Sequence, residues 1–97
     1  MSYSFHFRAA NRTEAMVKAE GEFDQIVAAQ HTHVQDEAIV IATLSSMLDL
    51  LEVDPTKDIQ VNINGSVGWN YNPDADLATV PLTQVAASVN VWLVPKE

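Results

Sequence analysis

Ile59-Gln60-Val61-Asn62-Ile63-Asn64-Gly65-Ser66-Val67-Gly68-Trp69-Asn70-Tyr71 is the stretch that decides how this chain folds. Ile59, Val61, Ile63, Val67, Trp69 and Tyr71 share one parity, while Gln60, Asn62, Asn64, Ser66, Asn70 and the following Asn72 share the other. A period of two is the signature of a strand with two unlike faces. Asn64-Gly65 is also the dipeptide preferred in a type I′ hairpin turn. A two-residue turn there would set Ile63 opposite Ser66 and Asn62 opposite Val67, mixing apolar and polar side chains on each face. A continuous strand keeps the apolar set together, with Gly65 or Gly68 permitting a bend or bulge. We therefore expect one long strand whose second face is rich in amides and carries no ionised side chain.

Downstream, Asn72 to Pro81 contains Pro73, Asp74, Asp76 and Pro81 and reads as an exposed connection. A last strand is expected from Thr83 to Val94. Val85, Ala87, Val89, Val91 and Leu93 face the core there, and Gln84, Ser88, Asn90 and Trp92 face away. The connection is too short for a crossover helix, so the two late strands pair antiparallel. Upstream, Tyr3, Phe5 and Phe7 alternate with Ser4, His6 and Arg8, predicting a first strand over Tyr3–Arg8 with its aromatic side inward.

Two helices fill the interval. Thr13–Ala29 returns Met16, Ala19, Phe23, Ile26 and Val27 to one side, with Asn11 or Thr13 as cap and Gly21 as a weak point. Thr32 and Gln35 have the spacing of a capping box, and a second helix follows to Leu51 or Val53 with Ile41, Leu44, Met47, Leu48 and Leu51 as its broad apolar stripe. Pro55 disfavours helical continuation at Asp54. The expected fold is α+β, a two-layer sandwich in β-α-α-β-β order, with two helices on one face of a three-stranded, mainly antiparallel sheet. Strand order is left open. One domain spanning residues 1–97 is the natural division of so short a chain.

Composition bounds the function. Hydrophobic residues make up 47% and charged residues 19%, enough apolar material for a core without a disulfide or structural metal. Cysteine is absent, which excludes thiol catalysis. The net charge of -8 and the scattered positions of Arg8, Arg12, Lys18, Lys57 and Lys96 argue against nucleic acid as a partner. The apolar run Ala38–Leu51 is interrupted by Thr43, Ser45, Ser46 and Asp49 and is too short for a membrane span, so no membrane partner is expected. With no secretory pattern at the start, a cytoplasmic location is the expectation.

No catalytic constellation emerges, and no enzyme activity or cofactor is expected. His6, His31 and His33 lack metal-ligand spacing, and Asp74 with Asp76 fails the calcium-loop pattern. Ser66, Thr43 and Ser88 have no local triad or nucleophile elbow. The leading expectation is a protein-interaction or assembly module that forms a homodimer or small oligomer through the uncharged sheet face, with Asn62, Asn64, Ser66, Ser88, Asn90 and Trp92 as its contact residues. The alternative is an acidic inhibitor or adaptor that meets a basic protein through Asp24, Asp36, Glu37, Asp49 and Glu52. Trp69 is expected in the core.

Overall fold

The computed structural model describes residues 2–29, 31–52, 54–69 and 82–96, the side chains of residues 69 and 82–84 excepted. Its elements run β1 (Ser2–Ala9), α1 (Arg12–Ala28), α2 (Val34–Leu50), β2 (Lys57–Trp69) and β3 (Leu82–Pro95). They form an α+β fold in which two helices pack on one face of a three-stranded antiparallel sheet of order β1-β2-β3. The long strand is continuous, and Asn64-Gly65 lies in its middle rather than at a reversal. Its apolar parity wins over the local turn preference because two neighbouring strands pair with it across that point, Ser4 and Ser88 opposite Asn64, Tyr3 and Ala87 opposite Gly65. The register slips by one residue between Gly68 and Trp69, next to the expected site of a bulge. The connection Asn72–Pro81, with Asp74 and Asp76, and the side chain of Trp69 lie outside the described residues.

α1 starts where Asn11 supplies its side-chain oxygen to the Glu14 amide at 2.9 Å. Glu14 in that first turn also meets Lys18 at 3.0 Å, one turn on. The cap of α2 differs from the expected capping box. His33 occupies the cap, its Nδ1 accepting from the Gln35 amide at 3.0 Å, whereas Thr32 turns inward and donates its hydroxyl to Asp36 at 2.7 Å. A carboxylate in the first turn of α2 draws the threonine hydroxyl away from the backbone, and the imidazole takes its place. Asp54 accepts from both the amide and the hydroxyl of Thr56, which sets the turn into β2.

The core lies between sheet and helices. Ala15, Ala19 and Phe23 of α1 and Val40, Leu44 and Leu48 of α2 close over Val61, Ile63 and Val67 of β2. Phe23 stands edge-on to both Tyr3 and Phe5, with ring centroids 5.6 and 5.2 Å apart. Arg12 clamps the start of α1 to the end of α2 through Asp49 at 2.9 Å and Ser45 at 2.6 Å, and Lys18 donates to the Arg8 carbonyl at 2.7 Å.

Tyr3 explains the glycine of the long strand. It pairs with Gly65, and a Cβ there would overlap the hydroxyl end of the tyrosine side chain. The phenol beyond the ring donates to Asp36 at 2.6 Å. Burial, with the hydrogen bond and charge of Asp36, holds the phenol well above its ordinary titration range, so it remains a donor. Replacing Gly65 with Ala is expected to cost about 1–3 kcal/mol, the typical penalty of overpacking a tight site. The exposed Gly21 meets nothing within 4 Å, so Gly21→Ala is expected to stabilise by about 1 kcal/mol. Urea denaturation of the two variants checks both signs.

Candidate interaction face

The face of the sheet turned from the helices is assembled by register. Asn62 pairs with His6 on one side and Asn90 on the other. Asn64 lies between Ser4 and Ser88, Ser66 between Ser2 and Ala86, and Gln60 between Arg8 and Trp92. Each strand alternates in parity, and the apolar parity goes to the helices, so these residues necessarily share the outer side. The six positions expected from sequence, Asn62, Asn64, Ser66, Ser88, Asn90 and Trp92, therefore lie side by side across β2 and β3. All are exposed except Asn62, which is half-buried. Trp92 leaves 42% of its surface to solvent.

Local hydrogen bonds order the amides. Ser4 donates to the Asn64 side chain at 2.7 Å, and the Gln60 amide donates to the Asn62 oxygen at 3.0 Å. Each bond engages the side-chain carbonyl oxygen of an asparagine on the central strand. The resulting surface offers donors and acceptors beside an indole, without a fixed charge between Gln60 and Ser66 or between Ala86 and Val94. Alternation along β1 puts Ser4, His6 and Arg8 on one side of that strand, and the pairing of β1 with β2, which the chain order does not disclose, adds them to this face.

The acidic set expected as an alternative surface is not one surface. Asp36 is fully buried, held by Tyr3 and Thr32 through Oδ2, and cannot meet a partner. Its place in the first turn of a helix resembles that of a solvated dipole partner, but the side chain points to the core. Asp49 is engaged by Arg12 at the C-terminal end of α2, with Glu52 beyond it. Asp24 lies at the other end of the helical layer, where it meets Glu37 together with Glu20. Burial, followed by the charge and hydrogen bonding of Asp24 and the charge of Glu20, raises the Glu37 pKa above its ordinary value of 4.5.

The histidines are also dispersed. His6 is exposed on the outer sheet face, His31 is exposed between the helices, and His33 is buried at the α2 cap. Among the described residues no group of three or more His, Cys, Asp or Glu could hold a metal ion. A cleft of about 660 Å³ opens where α1 begins and α2 ends, lined by Leu48, Leu51, Ile59 and Leu93. Around it Arg12, Lys57 and Lys96 are balanced by Asp49, Glu52 and Asp54, so it shows no preference for a charge. None of the described helices is long and apolar enough to cross a membrane. Comparisons with protein-family models, curated proteins and solved structures give no match to the chain.

A carboxyl group whose pKa is raised by folding binds its proton more tightly in the folded state. The contribution of Glu37 is therefore favourable at low pH and is lost as pH rises through and above 4.5. Glu37→Gln is expected to raise the melting temperature at pH 7, with the gain shrinking toward pH 4 and in high salt. Tyr3→Phe, which removes a buried donor from Asp36, is expected to lower stability by about 1–3 kcal/mol. Thermal and urea unfolding at several pH values measure both effects.

Proposed function

We propose that this protein is a non-enzymatic assembly module of the cytoplasm that binds a second copy of itself through the outer face of its sheet. The observation that carries the reading is the contiguity of Asn62, Asn64, Ser88, Asn90 and Trp92 on a sheet face that neither of the described helices covers. The indole contributes most of the apolar burial at the contact, and the amides set its geometry. Ser66 serves at the periphery.

Charge supports the choice of a second copy as occupant. Two chains that each carry -8 repel wherever their acidic surfaces meet. Glu14, Glu20, Glu22, Asp24, Glu37 and Asp49 all lie on the helices, and Arg8 and Asp58 stand at one end of the outer face. The central part of that face is where two like-charged copies can approach without juxtaposing carboxylates. The acidic-adaptor reading has no comparable support, since its residues are divided between two ends and the core.

Solution mass across a dilution series is expected to show a reversible dimer or small oligomer that persists in moderate salt. Trp92→Ala should weaken it roughly tenfold or more. Asn62→Glu, which sets carboxylates against each other at the centre of the face, should abolish face-to-face association while leaving the circular dichroism spectrum unchanged. A wild-type chain that stays monomeric at millimolar concentration overturns the reading.

A further inference from the structure

β3 is an edge strand, hydrogen-bonded to β2 alone among the described elements, and Leu82–Pro95 contains no ionisable side chain. Natural sheets protect long edges with lysines, internal prolines or bulges, because the free row of amides and carbonyls is a template for another strand. This edge carries none of these from Gln84 to Val94. Its middle, Val85-Ala86-Ala87-Ser88-Val89, reads nearly the same in both directions.

We infer that the β3 edges of two copies pair antiparallel about a two-fold axis at Ala87, joining two three-stranded sheets into one of six strands. That register sets Ala87 against Ala87, Ala86 against Ser88, and Val85 against Val89. Apolar residues meet on the helical side and small residues on the outer side. An axis perpendicular to the sheet keeps both pairs of helices on the same face, which preserves parity across the junction.

The helical layer supplies a second, independent fit. α1 packs over β1 and α2 over β3, so the flank of α2 turned from α1 overhangs the free edge. Asp36, Val40, Leu44 and Leu48 point to the core, and Ser45 and Asp49 point to Arg12 of α1. At 100° per residue the free flank is Ile39, Thr43, Ser46 and Leu50. Ile39 is 51% exposed and Leu50 84%. The Thr43 hydroxyl is turned back onto the Ile39 carbonyl at 3.0 Å, so it is already engaged within the helix.

Heights along the sheet then match. Tyr3 bonds Asp36 and pairs with Gly65, which pairs with Ala87, so Asp36 stands at the level of the proposed axis. Both α2 and β3 run from there toward the end where Leu51 and Lys96 line the same cleft. Ile39 is about 4.5 Å further along the helix, little more than one strand residue past Ala87. Across the axis that is the level of Val85 of the second copy. Val85 is 43% exposed, just past the last pairing of β1 at Ser2–Ser66. Each Ile39 thus covers the other copy's Val85. The two α2 helices start near the axis and diverge, so they do not collide. A stable dimer needs on the order of 800 Å² from each partner, and this apolar flank adds what a bare strand ladder lacks.

The junction does not use the outer face and leaves it open on both copies. A cysteine scan separates the two contacts, because the chain has no cysteine of its own. In the proposed register Ala87→Cys lies about 4.5–5.5 Å from its symmetry mate between Cα atoms, within disulfide range. Mild oxidation should convert it to a covalent dimer, while Ile39→Asp should loosen the uncrosslinked dimer roughly tenfold. Asn62→Cys, on the central strand, reports face-to-face contact only. Crosslinking at Asn62→Cys without crosslinking at Ala87→Cys overturns the edge pairing and spares the face. Failure of both overturns both. In the unmodified protein, alternate amides of residues 85–89 should exchange slowly at high concentration and quickly on dilution. Rapid exchange at every concentration overturns the edge pairing.

Discussion

One tyrosine near the N-terminus ties four of the five elements together. Its ring rests on the bare backbone of Gly65 in β2 and stands roughly perpendicular to Phe23 of α1, and its hydroxyl donates to Asp36 of α2. Any longer residue at position 65 would push β1 from its place, and any other residue at position 3 would leave the buried carboxylate short of a donor. Burying Asp36 is costly, and the cost is offset by two hydroxyl donors, Tyr3 and Thr32, which converge on Oδ2. Among the described residues, no donor reaches Oδ1. The carboxylate is only partly satisfied, which makes the position of Tyr3 decisive for how the first strand and the second helix meet.

The same contact fixes what the outside of the molecule looks like. With Tyr3 against Gly65, Ser4 must oppose Asn64 and His6 must oppose Asn62. A slip of one residue would turn the aromatic side of β1 to solvent. The pairing of β2 with β3 is constrained in the same way by Val61, Ile63, Val89 and Val91. Register inside the core therefore determines the pattern of amides and indole outside it. The two surfaces cannot be varied independently.

Charge is partitioned by layer. The helices carry most of the carboxylates, while the middle of the outer face and the whole of β3 carry none. In a chain so acidic, those neutral regions are where the two proposed contacts between copies would lie, one across the face and the other along the edge. Trp92, on the outer side of β3, belongs to the first of these and not to the second.

Periodicity made much of this legible from residues alone. Alternation over Ile59–Tyr71 was strong enough to outweigh the Asn-Gly turn signal, because each face of a strand must answer to one environment. The helices, their apolar stripes and the parity of Trp92 followed from the same rule. What the chain order could not disclose were contacts between residues far apart. Asp36 reads as an ordinary acid in the first turn of a helix, and the long-range donor that helps to hold it in the core, Tyr3, lies 33 positions earlier. Gly65 reads as a turn or a bend, yet it is a space for a ring from another strand. The position of β1 beside β2, and with it the full width of the outer face, is set by that ring. Local pattern fixes which way a side chain points, whereas burial and register are settled by what the rest of the fold brings against it.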